Sequence, residues 1–337
     1  MLQPVPFHRA LVVVLLGLVA GGCGGNSGRA ARRTTTLVGT TTAPVAPHGR
    51  TVTTTSVARR GAASSSQPLV TVGEITVHMV DPQRTMNVGG QQVPRSFDVL
   101  VRYPIGLSGR FPLLVFGHGY EVTPASYTDL LNAWAKAGYV VAAPVFPLEN
   151  QNAPGGPNEN DLPNQPADMS LVISSLQIPQ DSAASRVSGM IDFSQVAVSG
   201  HSDGGDTALA VAYDQRVRDT RIKAAVILAG AEDPFAAPFS MPAKGPPLLA
   251  VQGTADDINP PDQTYAFFSQ AATPKYLLKM LGAGHGPPYM DPSPELTEIT
   301  KLTLAFLNQY LKGRPAALSR YVAAGSAGPD STLTAQR

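Results

Sequence analysis

Two hydrophobic rhythms follow each other along the chain after residue 68. Leu69–Val80 and Ser96–Tyr103 alternate apolar and polar residues, as half-buried strands do, and Asn87-Val88-Gly89-Gly90 offers a turn that joins them as an antiparallel pair. Short, nearly unbroken apolar runs come next: Pro112–Phe116, Tyr139–Ala143, Gln195–Ser199, Lys223–Leu228, Pro247–Val251 and Tyr276–Met280. A run of this length with no polar phase suits a strand covered on both faces of a parallel sheet. Helical stretches fall between the runs, at Pro124–Ala137, Gln165–Leu176, Asp203–Tyr213, Pro261–Ala271 and Pro294–Leu311. The alternation predicts an α/β domain over 69–318, with a mostly parallel central sheet, helices on both faces, and 319–337 left as a C-terminal tail. Only about 18 residues separate the run ending at Leu228 from the one starting at Pro247, too few for a large cap domain.

The front of the chain has a different pattern. The apolar stretch Ala10–Ala20 is too short to cross a bilayer as a helix but suits the core of a signal peptide, predicting a signal over 1–22. Ala20-Gly21-Gly22 leads into Cys23, the only cysteine of the chain. This end resembles a bacterial lipoprotein signal, which implies lipid attachment at Cys23 and a place on the outer face of the cell membrane. The alternative is an ordinary secretory signal and a freely secreted protein. Residues 23–68 hold ten threonines between Thr34 and Thr55 and few large apolar side chains, so they cannot bury enough surface to offset chain entropy and read as a tether.

Charge narrows the partners. Seven arginines and no acid lie in residues 1–60, leaving 18 bases against 24 acids beyond them, net −6. A body of that sign is a poor nucleic-acid binder. One cysteine excludes an intramolecular disulfide and a cysteine-based metal cluster. No metal or cofactor is expected, and the domain is read as a monomer.

In an open α/β sheet, reactive groups gather beyond the C-terminal ends of the strands. The loop after Gln195–Ser199 reads Gly200-His201-Ser202-Asp203-Gly204, a G-x-S-x-G turn between a strand and a helix. The glycines permit a sharp turn that lifts the Ser202 hydroxyl above the sheet at a helix N-terminus. Serine needs a base, and of the six histidines only His285, within Gly284-His285-Gly286, lies beyond Ser202 in the chain. Asp256, after the run ending at Val251, is favoured as the acid that orients the base, with Asp257, Glu232 and Asp233 as alternatives. The N–H groups that would hold an oxyanion are those of Asp203 and of Tyr120 in Gly117-His118-Gly119-Tyr120, with Glu121 as the fallback for the second.

These motifs, in this order, resemble the α/β-hydrolase superfamily over residues 70–312, and within it the dienelactone-hydrolase-like, chlorophyllase-like and polyester-hydrolase-like esterases. The resemblance implies an α/β-hydrolase fold and a serine hydrolase with Ser202, His285 and Asp256 as its triad. Serine stands where dienelactone hydrolases have cysteine. The expected activity is carboxylic ester hydrolysis through an acyl-enzyme, on small, lipidic or polymeric esters. A catalytically silent cell-envelope binding protein, an acyltransferase and a peptidase remain the alternatives. The loop Pro144–Gln165, rich in Asn, Pro and Gly, reads as a solvated loop, or else as a polar rim or weak calcium site. Phe235, Phe239 and Met241 are candidates for the acyl pocket, or for packing.

Overall fold

The structure is a computed structural model that describes residues 69–179, 181–233 and 238–337. Cys23, the signal peptide and the tether lie outside the described residues, as does Phe235. Among the described residues no helix is long and apolar enough to cross a membrane.

Among the described residues nine strands form one sheet: β1 (Thr71–Val88), β2 (Gln91–Ile105), β3 (Phe111–Gly117), β4 (Val140–Pro144), β5 (Ile191–His201), β6 (Ile222–Leu228), β7 (Leu248–Gly253), β8 (Lys275–Met280) and β9 (Ser331–Gln336). Their spatial order is β1-β2-β4-β3-β5-β6-β7-β8-β9. The six central strands, β4-β3-β5-β6-β7-β8, run parallel. β1 and β2 form an antiparallel hairpin that docks antiparallel on β4. Its turn falls at Gly89 and Gly90, whose φ of 60° and 84° suit glycine and strain other residues.

The unbroken apolar runs follow from burial on both faces. Within β3, Leu113 and Val115 join the core on one side while Leu114 and Phe116 join the core on the other. The first core is covered by α2 (Gln165–Gln177), α3 (Ser182–Ser188), α4 (Asp203–Tyr213) and α5 (Pro261–Gln270). The second is covered by α1 (Thr128–Lys136), α6 (Pro287–Met290), α7 (Pro294–Lys312) and α8 (Ala316–Ala324). α7 starts where Ser293 Oγ accepts a hydrogen bond from Leu296 N–H and ends at left-handed Gly313, so both helix ends carry recognised caps.

The expectation of a C-terminal tail at 319–337 is corrected. Residues 316–324 form α8, and β9 pairs antiparallel with β8 from Lys275↔Gln336 to Met280↔Ser331. Leu318 and Leu333 belong to the second core. β9 covers what would otherwise be the open edge of β8, so residues 316–336 are part of the domain.

Candidate active site

The parallel strands place their C-terminal loops at one end of the sheet, and the chain reverses its order of addition across β4-β3-β5. The loops after β3 and β5 therefore flank the crevice where ligands bind in open α/β sheets.

β5 ends at His201, Ser202 follows, and α4 starts at Asp203. Ser202 has φ 57° and ψ −129°, a strained conformation for a residue with a side chain. The turn closes only because its neighbours lack Cβ atoms. A Cβ on Gly200 would lie 1.9 Å from the carbonyl oxygen of Gly204, and one on Gly204 would lie 2.2 Å from the backbone of Gly117.

His285 follows β8. Its Nε2 is 2.8 Å from Ser202 Oγ, and its Nδ1 is 2.8 Å from Asp256 Oδ2. Ser202 is 7% exposed and the His285 side chain 15%, whereas the Asp256 side chain is sealed. Solvent and ligand thus reach the serine and the ring but not the acid. Asp256 also accepts bonds from the backbone N–H of Ile258 (3.0 Å) and Asn259 (2.9 Å) and from Gln252 Nε2 (3.1 Å). Burial alone would raise its pKa; the bonds from His285 and the two amides outweigh burial and hold it below the usual carboxylate range. Asp257 is exposed, and Glu232 bonds Gln270 on α5. Of the four acids considered from sequence, the structure brings Asp256 to the ring.

A second chain of bonds, not anticipated from sequence, braces the two loops. The Gly119 N–H donates to Tyr127 Oη (3.1 Å), and Tyr127 Oη lies 2.9 Å from His201 Nδ1. His201 Nε2 lies 2.8 Å from the His285 carbonyl. A carbonyl only accepts, so His201 carries its proton on Nε2 and Tyr127 donates to Nδ1. Burial, reinforced by His285, pushes the His201 pKa down to about 3, so the ring is neutral as this pattern needs. His118 lies in the oxyanion-side loop, as expected: Nδ1 meets the Gly119 carbonyl at 2.8 Å, and Nε2 accepts from Phe146 N–H at 3.0 Å. Burial pushes its pKa down to about 4, so it is neutral too.

The same loop separates the two oxyanion candidates. Glu121 N–H donates to the Glu149 carbonyl at 3.1 Å, so the fallback donor is committed to a partner within the protein. Asp203 N–H is at the first position of α4, where backbone donors have no partner within the helix. A Cβ on Gly119 would come 3.1 Å from Ser202 Cβ, so this loop passes directly over the serine.

The Pro144–Gln165 loop binds itself and the sheet. Asn158 caps a short 3-10 turn over Glu159–Asn164, Asn150 Nδ2 donates to the Phe146 carbonyl, and Asp161 is paired with Arg95 of β2. Among the described residues no group of three or more His, Cys, Asp or Glu side chains is arranged to hold a metal. Phe239 and Met241 pack against the first core.

The parallel sheet, its flanking helices and the serine turn define an α/β-hydrolase fold. Residues 67–261 match the chlorophyllase family, and the chain belongs to it. That stretch contains Tyr120, Ser202 and Asp256; His285 lies beyond it. The chain is 32% identical over 106 residues to chlorophyllase type 0 of Chenopodium album, a match that spans 31% of this chain and 29% of that protein. It superposes on a ferulic acid esterase from Streptomyces cinnamoneus with a TM-score of 0.60 at 20% identity, covering 82% of this chain and 98% of that one.

Proposed function

We propose that the protein hydrolyses carboxylic esters through an acyl-enzyme on Ser202. The continuous hydrogen-bonded path Ser202–His285–Asp256 carries this reading. His285 Nε2 takes the hydroxyl proton as Ser202 Oγ attacks the ester carbonyl carbon, and Asp256 stabilises the imidazolium that forms. The carbonyl oxygen takes up the negative charge and is met by the N–H groups of Tyr120 and Asp203. The C–O bond to the alcohol then breaks, and His285 gives its proton to the leaving oxygen. Water attacks the acyl carbon in the same way, releasing the acid and restoring the serine. Membership of the chlorophyllase family and the fold shared with a ferulic acid esterase support ester rather than amide cleavage. The segment between β6 and β7 is too short for a cap domain, which favours bulky esters that an enclosed site would exclude.

Lipid attachment at Cys23 and export to the outer face of the membrane complete the reading, carried by the position of the only cysteine after the apolar run. Two experiments test it. A fluorophosphonate probe should label the wild type and not the folded Ser202→Ala variant, with p-nitrophenyl ester turnover lost in parallel by roughly 10⁴-fold or more. Turnover retained by Ser202→Ala would end the serine assignment. Intact mass should show an N-terminus at Cys23 with added acyl groups; an unmodified N-terminus elsewhere would leave a secreted protein.

A further inference from the structure

Behind the proposed oxyanion donors lies a polar cluster that the triad does not use. Glu149, on the loop after β4, is fully buried. One of its carboxyl oxygens, Oε2, accepts a hydrogen bond from Gln165 Nε2, and Gln165 Oε1 accepts from Thr207 Oγ1 at 2.7 Å. The other, Oε1, receives no N–H or hydroxyl donor from any described side chain or backbone group. The Glu149 side chain instead meets the carboxyl group of Asp203 in a hydrogen bond. Asp203 is itself 1% exposed.

Two ionised carboxylates are both acceptors, so this bond requires a proton between them. Like charges in contact, out of water, do not both ionise. The charged groups facing Glu149 are Asp203 and Asp206 of α4 and Asp161 of the 3-10 turn, the last offset by Arg95 of β2. Burial, then these acids, drive the Glu149 pKa well above the ordinary carboxyl range. The phenols of Tyr120 and Tyr127 also face it, and burial with the neighbouring acids keeps both protonated.

Glu149 ties the residue next to one proposed oxyanion donor to the residue that carries the other. Its carbonyl anchors Glu121 N–H, next to Tyr120, and its side chain anchors Asp203. We propose that Glu149 is a positioning residue for the oxyanion hole, a neutral acid that donates to the Asp203 carboxylate and so locks the α4 N-terminus to the Tyr120 loop. This rests on the ester-hydrolase reading above. Losing the shared proton in alkali would set two buried negative charges against each other beside the developing oxyanion. The tetrahedral intermediate would suffer more than the neutral bound ester, so kcat would fall with little change in KM.

The test follows kcat and KM of the full-length mature protein on a p-nitrophenyl ester from about pH 6 to about pH 10. The wild type should lose kcat on the alkaline side. Glu149→Gln and Asp203→Asn should lose that limb, because an amide N–H donates to the remaining carboxylate at every pH. Glu149→Ala should lower kcat about tenfold or more at neutral pH, with Glu149→Gln recovering most of the loss. A readout independent of turnover is the infrared C=O stretch of a protonated carboxyl in inactive Ser202→Ala protein: present above neutral pH, absent when Glu149→Gln is added. An alkaline limb with the same midpoint in Glu149→Gln, a flat wild-type profile, or no protonated-carboxyl band at neutral pH would each overturn the proposal. A wild type that turns over no ester would sink the hydrolase reading instead, and the infrared band would still decide whether the pair shares a proton.

Discussion

Replacing Asp256 with asparagine exchanges one carboxyl oxygen for an NH₂ group, and the surroundings dictate where that group must go. Oδ1 accepts two backbone N–H groups, those of Ile258 and Asn259, at 3.0 and 2.9 Å. Turning the NH₂ toward them would set donor against donor in a buried site, at roughly 1–3 kcal/mol per unmade bond. The amide oxygen therefore keeps the backbone pair, and the NH₂ faces His285 Nδ1. That ring nitrogen must then accept, which puts the ring proton on Nε2, the atom that has to receive the Ser202 proton. The base is held in the wrong tautomer, a change that costs on the order of 10⁴ in kcat, or about 5 kcal/mol of transition-state stabilisation. Asp257, one residue away and exposed, bonds nothing in the site, and Asp257→Asn should change kcat by less than about threefold. The assay is kcat on a p-nitrophenyl ester for both purified variants, with melting temperatures to confirm that each is folded. Equal losses, or a larger loss for Asp257→Asn, would refute the assignment of the acid; loss in neither would move it to Glu232 or Asp233.

The turn and the sheet make further demands. Gly204→Ala places a Cβ about where the Gly117 backbone lies, so the variant should lose about 3 kcal/mol or more of stability by denaturant unfolding and lose probe labelling with it. Arg95→Met removes the guanidinium shared by buried Asp161 and Asp168 and should cost about 3–5 kcal/mol in the same experiment; near-wild-type unfolding would mean that the carboxylates find other partners. Acid should destabilise the domain through His118 and His201, whose pKa values are held down to about 4 and about 3. The unfolded chain takes up these protons below about pH 6.5 and the native state does not, so stability is intact above that value and falls as pH drops, by about 2.5 kcal/mol per ring at pH 4.5. A melting temperature that is flat from pH 7 to about pH 4.5 would contradict the neutral assignment of both rings.

Much of this molecule is visible in the sequence because two-sided burial leaves a coarse mark. A strand such as β3, with Leu113 and Val115 on one face and Leu114 and Phe116 on the other, has to be apolar throughout. β9 leaves no such mark. Ser-Thr-Leu-Thr-Ala-Gln is an edge strand with one large apolar residue, Leu333, and its assignment depends on β8 being there to pair with. The site divides along the same line. Ser202, Asp256 and His285 are marked by glycines, strand ends and chain order, all local properties. Glu149, Tyr127 and His201 take their places from contacts between distant loops: a glutamate in a loop rich in asparagine reads as solvated until Gln165, Asp203 and the burial around them are known. The two kinds of residue also answer to different constraints. The reacting groups must be presented at strand ends, where sequence punctuation is strong. The bracing groups need only be buried and matched donor to acceptor, a condition that many sequences meet and that only the assembled fold reveals.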